Sequence, residues 1–108
     1  MRSIEGWLLG LVASVPEIKP LYDATLEVDA ELFLEQLSGW ASQRGYVEPV
    51  AQLLRILERD YERRGDKIRG IIEGSFVERL VNDPLAHHFG PHLRRAMRPR
   101  ALGHGDRE

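Results

Sequence analysis

The chain has 108 residues and contains no cysteine. A protein without thiols has no disulfide, no thiolate metal ligand and no cysteine nucleophile. Because structural disulfides are typical of oxidising compartments, their exclusion favours a cytoplasmic protein. The composition of 43% hydrophobic and 30% charged residues is typical of a folded domain rather than of a disordered chain.

Long hydrophobic runs are also missing. The most apolar stretch, residues 7–13, is too short to cross a bilayer, so we expect no membrane association. Around it, Ile4, Trp7, Leu8 and Leu11 recur at the spacing of one helix face. This pattern predicts a helix over residues 3–14 that begins at Ser3 as its N-cap.

No strand-length segment alternates convincingly between polar and apolar residues, whereas helical patterns continue along the chain. Further helices are predicted over residues 16–26, 29–44, 48–64 and 67–81, with shorter ones after Asp83 and Gly90. The fold class is therefore all-α, a compact bundle of about five to six helices. Gly65-Asp66, with Asp66 as the cap of the next helix, is expected to join a central antiparallel hairpin.

The pattern also indicates how the chain is divided. Residues 1–98 are expected to form one helical domain, since this length suits a single modest core. Residues 99–108 show no periodicity and are predicted to be a flexible tail. In the third helix, Phe33, Leu37, Trp40 and Ala41 form the predicted inner stripe, and the opposite side is expected to carry Glu31, Glu35, Ser38 and Ser42.

The fifth predicted helix has two non-polar faces. The first is formed by Ile68, Ile71, Ile72, Ser75 and Phe76, and the second by Gly70, Gly74, Val77 and Val81. An interior glycine costs about 1 kcal/mol relative to alanine, so a close backbone approach is expected to offset this cost. Either another helix of the domain or a partner chain would cover this second stripe, and a homodimer is one such arrangement.

Catalytic signals are weak. His87, His88 and His92 lie close in sequence, but Gly90-Pro91 interrupts the helix that a two-histidine metal site would need. Glu58, Glu62, Glu73 and Glu78 are interpreted as solvated helix residues, and there is no phosphate loop, dinucleotide fingerprint or nucleophile elbow. We therefore expect no enzyme, no catalytic residues, no metal and no cofactor.

Charge is unevenly distributed although the net charge is only −2. Arginines gather near the end of the chain, where they complement the dipole of a last helix without the interleaved aromatics of a nucleic-acid site. No nucleic-acid partner is expected. Acidic residues gather earlier, and four of them are candidates for a partner-binding face: Glu27, Asp29, Glu31 and Glu35. The alternative is that these four carboxylates are merely solvated.

Four segments resemble a known group of proteins. They are residues 15–22 (VPEIKPLY), 65–72 (GDKIRGII), 75–80 (SFVERL) and 89–93 (FGPHL). Together they are similar to small all-helical bacterial domains of unknown function, which look like HEAT-type folds and resemble immunity proteins of polymorphic toxin systems. The resemblance spans residues 4 to 97 and brings no catalytic residues.

This resemblance implies a protein that neutralises a cognate bacterial toxin by direct complex formation. The acidic residues named above could meet a basic cleft of such a toxin. The alternative function is a stand-alone helical scaffold or regulator that self-associates through the fifth helix.

Overall fold

Helix start and stop signals determine most element boundaries in the computed structural model, which describes residues 4–24 and 29–103. The α-helices in these ranges are α1 Ile4–Ser14, α2 Lys19–Ala24, α3 Ala30–Arg44, α4 Glu48–Arg63, α5 Asp66–Ile72 and α6 Pro91–Gly103. Short 3-10 helices cover Pro16–Ile18, Glu78–Leu80 and Pro84–His88, and a π turn covers Glu73–Val77. The prediction of an all-α bundle of five to six helices is confirmed.

Side-chain caps and glycines mark the helix ends. Asp29 Oδ1 accepts a hydrogen bond from the Leu32 N–H at 3.1 Å at the start of α3. Gly45 follows α3 with φ of 79°, and Gly65 follows α4 with φ of 126°, a backbone conformation that glycine adopts without a steric penalty. The prediction that Asp66 caps the next helix is wrong. Gly65 is the N-cap, and Asp66 lies in the first turn of α5.

One apolar core joins all the long helices. Its largest fully buried side chains include Trp7 from α1, Phe33 from α3 and Phe76 from the π turn. Residues 66–80, which we call the fifth helical run, contact α3, α4 and α6, so this run lies at the centre of the bundle. The predicted hairpin is formed by α4 and the fifth helical run, whose contact across the joint includes a hydrogen bond from Tyr61 to Glu73.

Long-range contacts show which helix ends lie together. The Trp7 Nε1–H donates to Asp60 Oδ2 at 2.9 Å, which places the start of α1 beside the end of α4. After the end of α1, Glu17 forms an ion pair with Arg44, the last residue of α3. We call the end of the bundle that contains the α4–α5 connection the joint end.

Two contacts join α3 to the end of the fifth helical run and to the residues after it. The Ser42 hydroxyl donates to Asp83 Oδ2 at 2.5 Å, and Arg79 Nη2 lies 3.4 Å from Glu35 Oε1. These two contacts align α3 with the fifth helical run in the same direction. They place Glu35 beside the end of the fifth helical run and the last turns of α3 beside the residues that follow this run.

The solvent-exposed face of α3 is narrower than the sequence predicts. Ser38 was assigned to it, but this residue is buried and its hydroxyl donates to the Glu35 carbonyl at 2.6 Å. Leu34 is buried as well. The reason is that α3 packs against α1 and α2 as well as against the fifth helical run, so more than one stripe of its surface is covered. A single-stripe pattern cannot represent a helix with neighbours on several sides.

The division of the chain into a domain and a tail stays a prediction. The proposed tail begins at residue 99, whereas α6 continues through Pro99 to Gly103. Residues 104–108 lie outside the described ranges, and the flexibility of residues 99–108 stays a prediction. None of the helices in the described ranges is both long and apolar enough to cross a bilayer.

Candidate protein-binding surfaces

The predicted acidic face is partly engaged within the chain. Glu27 lies outside the described residues. Asp29 caps α3, and the half-buried Glu35 pairs with Arg79. Glu31 is exposed, and no cationic side chain of the described residues lies within 4.0 Å of its carboxylate. Of the three described acids, Glu31 is therefore the one available to a partner without breaking an existing contact.

An apolar side chain lies beside these acids. Leu32 is 41% exposed, one of a few large hydrophobic residues on the described surface. We call Asp29, Glu31, Leu32 and Glu35 the acidic patch. An exposed leucine among carboxylates offers a partner both an apolar contact and a negative field.

The second predicted surface, the stripe Gly70, Gly74, Val77 and Val81, is only partly exposed. Gly70 and Gly74 are exposed, and apart from the adjacent residues and the backbone of their own helix no described atom lies within 4 Å of the position that a Cβ would occupy at either residue. Val81 is 39% exposed, whereas Val77 is 1% exposed and belongs to the core. The expected close approach of another helix of the domain to the two glycines is therefore not found within the described part of the chain.

The π turn explains why Val77 leaves this stripe. Glycines 70 and 74 are four residues apart and share one face, as the helical pattern predicts. Glu73–Val77 then follows i to i+5 bonding, whose wider turn advances each residue by a smaller angle than an α-helix does. Val77 is consequently rotated from the glycine face into the core. Sequence periodicity assumes a constant angle per residue and could not reveal this shift.

A groove of about 690 Å³ lies beside Val81, between Pro84–His88 and α6. Its polar groups are already engaged in part. Asp83 accepts hydrogen bonds from Ser42 and from the Leu85 N–H, and Arg94 Nη2 donates to the carbonyls of His87 and Phe89 at 3.3 and 3.1 Å. These bonds hold the walls of the groove in place.

Sequence reasoning missed a basic pocket at the joint end. It has a volume of about 420 Å³ and lies at the α4–α5 connection, lined by Ile4, Arg63, Arg64, Gly65, Asp66, Lys67 and Ile68. We call it the joint pocket. The signal in the sequence was the cluster Arg63, Arg64 and Lys67 around a glycine. Ile4, which forms part of the wall, is 59 positions from Arg63, so the pocket itself depends on the fold.

The most deeply buried carboxylate of the described residues has a structural role. Asp60 is 3% exposed and accepts the hydrogen bond from Trp7, and its Oδ1 lies 3.2 Å from Arg59 Nε and 3.8 Å from Arg64 Nε. Burial of a charge is unfavourable unless hydrogen bonds and opposite charges compensate it. Asp60 has both and thereby fastens α1 to α4.

A second carboxylate fixes the last helix. Glu58 accepts hydrogen bonds from the N–H groups of His92 and Leu93 at 2.6 and 3.0 Å, so a side chain from α4 caps α6. His92 Nε2 also lies 3.2 Å from Glu62 Oε1. Within the described ranges, no three histidine or carboxylate side chains are grouped as metal ligands would be.

The structure therefore shows two exposed surfaces that could bind a protein. Comparison with known proteins assigns neither a family nor a function to the chain. No protein-family model matches the chain, no curated protein is similar to it, and no solved structure matches its fold. These comparisons give no support to the immunity-protein likeness. Its coarser implication, a small helical protein, agrees with the fold.

Proposed function

We propose that this chain is a protein-binding protein that neutralises a cognate bacterial toxin by direct complex formation, with the acidic patch as its contact surface. The observation that carries the proposal is the exposed Glu31 carboxylate, which has no cationic neighbour among the described residues. The residue resemblance adds the biological context, an immunity protein with a HEAT-like arrangement that works in the cytoplasm.

A partner with a basic surface would bind the acidic patch most favourably. Negative charge on one protein and positive charge on the other accelerate encounter and disfavour wrong partners, and these effects weaken as salt increases. Leu32 would be buried at the centre of the contact, where an apolar side chain contributes more than charges at the rim do. A nuclease or another enzyme with a cationic cleft is therefore the expected kind of target.

Co-expression with the proteins encoded next to its gene tests the function. We expect one neighbour to co-purify with this chain and to be less toxic to cells in its presence. Absence of both a complex and protection for every neighbouring gene product would defeat the proposal.

Charge reversal tests the surface. Glu31→Lys is expected to slow association by about tenfold at low salt, because it repels a basic partner. Glu5→Lys is the matched control, since Glu5 and Glu31 are both exposed second residues of their helices and share the same relation to the helix dipole. Equal association rates for the two variants would exclude the acidic patch as the contact surface.

The alternative function, a stand-alone scaffold or regulator that self-associates through the fifth helical run, has one observation in its favour. Gly70 and Gly74 are uncovered within the described part of the chain and leave room for a second backbone. Sedimentation of wild type and Gly74→Leu tests it. A tight dimer that the substitution disrupts, without affinity for a neighbouring gene product, would favour this function.

A further inference from the structure

The joint pocket collects basic side chains that the described chain does not neutralise. Arg63 and Lys67 are exposed, and no carboxylate of the described residues lies within 4.0 Å of either. Most other basic residues of the described ranges do have such a neighbour, namely Lys19, Arg44, Arg55, Arg59, Arg69 and Arg79. Two cations without a partner therefore lie together at one pocket of a chain that pairs most of its cations.

The other charged residues of the lining leave this excess in place. Arg64 adds a third cation, and its Nε lies 3.8 Å from the buried Asp60. Asp66 is the acidic residue of the lining, but it is fully exposed and its Oδ1 lies 3.8 Å from Arg69, which is not part of the lining. The pocket is therefore positively charged and attracts anions.

The same pocket has an apolar part. Ile68 in α5 is 9% exposed, and Ile4, the first residue of α1, is half-buried. An inorganic anion would contact only the charged side chains. An organic anion would use both parts of the pocket, because its apolar group would also exclude water from the two isoleucines.

The size and shape of the pocket suit a small molecule. Its volume of about 420 Å³ lies within the range of small-molecule sites, about 300–1,000 Å³. Its lining comes from the start of α1, the end of α4 and the start of α5, so the site is concave. Apolar walls with a few charged groups at defined positions are typical of small-molecule binding.

We propose that the joint pocket binds a small organic anion, a carboxylate or phosphate ester that carries a short apolar group. The anionic group would lie between Arg63 and Lys67, since arginine binds carboxylates and phosphates through paired hydrogen bonds and lysine acts as a point charge. The apolar group would lie against Ile4 and Ile68. Such a ligand contacts α1 and the α4–α5 connection together, so its binding also stabilises the fold.

Trp7 can report on the pocket. It lies about one turn after Ile4 in α1, and its Nε1–H donates to Asp60, which Arg64 also approaches. The second tryptophan, Trp40, lies beside Arg44, outside the pocket lining. Ligand binding should therefore shift the indole N–H signal of Trp7 in ¹⁵N NMR spectra and leave that of Trp40 unchanged.

Titrations followed by these two signals test the proposal, with hexanoate, hexyl phosphate, acetate and hexan-1-ol at constant low ionic strength. Hexanoate or hexyl phosphate is expected to bind with a Kd of about 1 mM and to raise Tm. Acetate lacks the apolar group and hexan-1-ol lacks the charge, so each should bind about tenfold more weakly. Binding of either six-carbon anion supports the proposal, and the tighter of the two identifies the anionic group.

Substitutions locate the site. Arg63→Gln should weaken binding of the six-carbon anion by about fivefold, and adding Lys67→Gln should extend the loss beyond about tenfold. Arg95→Gln is the matched control and should leave Kd unchanged, because Arg95 is also exposed and no carboxylate of the described residues lies within 4.0 Å of it. Asp66→Asn should tighten binding by about twofold, since it removes the negative charge of the lining.

Several results would overturn the proposal. They are the absence of a saturable Trp7 shift up to about 20 mM of either six-carbon anion, equal affinity for acetate and hexanoate, equal affinity for hexan-1-ol and hexanoate, and equal losses for Arg63→Gln and Arg95→Gln. If no anion binds but the pocket variant loses a neighbouring gene product, the pocket is a protein contact instead. These titrations use the isolated chain, whereas Glu31→Lys tests the proposed function, so either can fail without the other.

Discussion

Glycines lie on the outer face of the fifth helical run and immediately before α6, and the surroundings of these two regions are opposite. At Gly70 and Gly74 a Cβ would meet open space. At Gly90 a Cβ would lie 2.5 Å from Glu58 Cδ, the carboxyl carbon of the side chain that caps α6. Sequence reasoning predicted a close approach at the first pair, whereas the structure places it at Gly90. The role of a glycine depends on what lies opposite it.

The strongest contrast lies between the two faces of the fifth helical run. Phe76→Ala should lower the free energy of unfolding by about 3–5 kcal/mol, because Phe76 is fully buried and its removal leaves a cavity. Val81→Ala, at a 39% exposed residue, should change it by less than about 0.5 kcal/mol. Urea denaturation measures both values.

If Phe76→Ala does not fold, Phe76→Leu provides the same test with a smaller expected loss of about 1 to 2 kcal/mol. Comparable changes for the inner and outer residues would contradict the assignment of the two faces.

The second contrast is the close approach at Gly90. Gly90→Ala should lower the free energy of unfolding by about 1–2 kcal/mol, because the added methyl displaces Glu58 and breaks its bonds to the N–H groups of His92 and Leu93. In a Glu58→Ala background the same substitution should cost less than about 0.5 kcal/mol, since the cap is already lost. The double-mutant cycle gives this coupling, and additive losses would rule out the mechanism.

Helix signals in the sequence were sufficient for the fold because they are local. Asp29 and Gly45 bound α3 as expected, and Pro84 and Pro91 begin their helices. Ile68, Ile71, Ile72, Ser75 and Phe76 are buried, as the predicted first face of this helix requires.

The candidate surfaces were less predictable because they depend on contacts between distant residues. The pairing of Glu35 with Arg79 and the cap from Glu58 to α6 join helices whose orientation no local pattern specifies. The π turn is a further example, since it moves Val77 into the core without a composition signal. Glu31 and Leu32 lie near the start of α3 as expected, but their availability depends on which neighbours fold back onto them.

The smallest expected effect concerns the exposed glycines themselves. Gly70→Ala should raise the free energy of unfolding by about 0.5–1 kcal/mol, because alanine has less backbone freedom to lose and its methyl meets no described atom. Gly74→Ala makes the same change inside the π turn. An increase at Gly70 alone would show that the π turn needs glycine, and a decrease at both would indicate that another chain covers this face. Thermal unfolding at two protein concentrations separates these results, because a covering chain makes Tm depend on concentration.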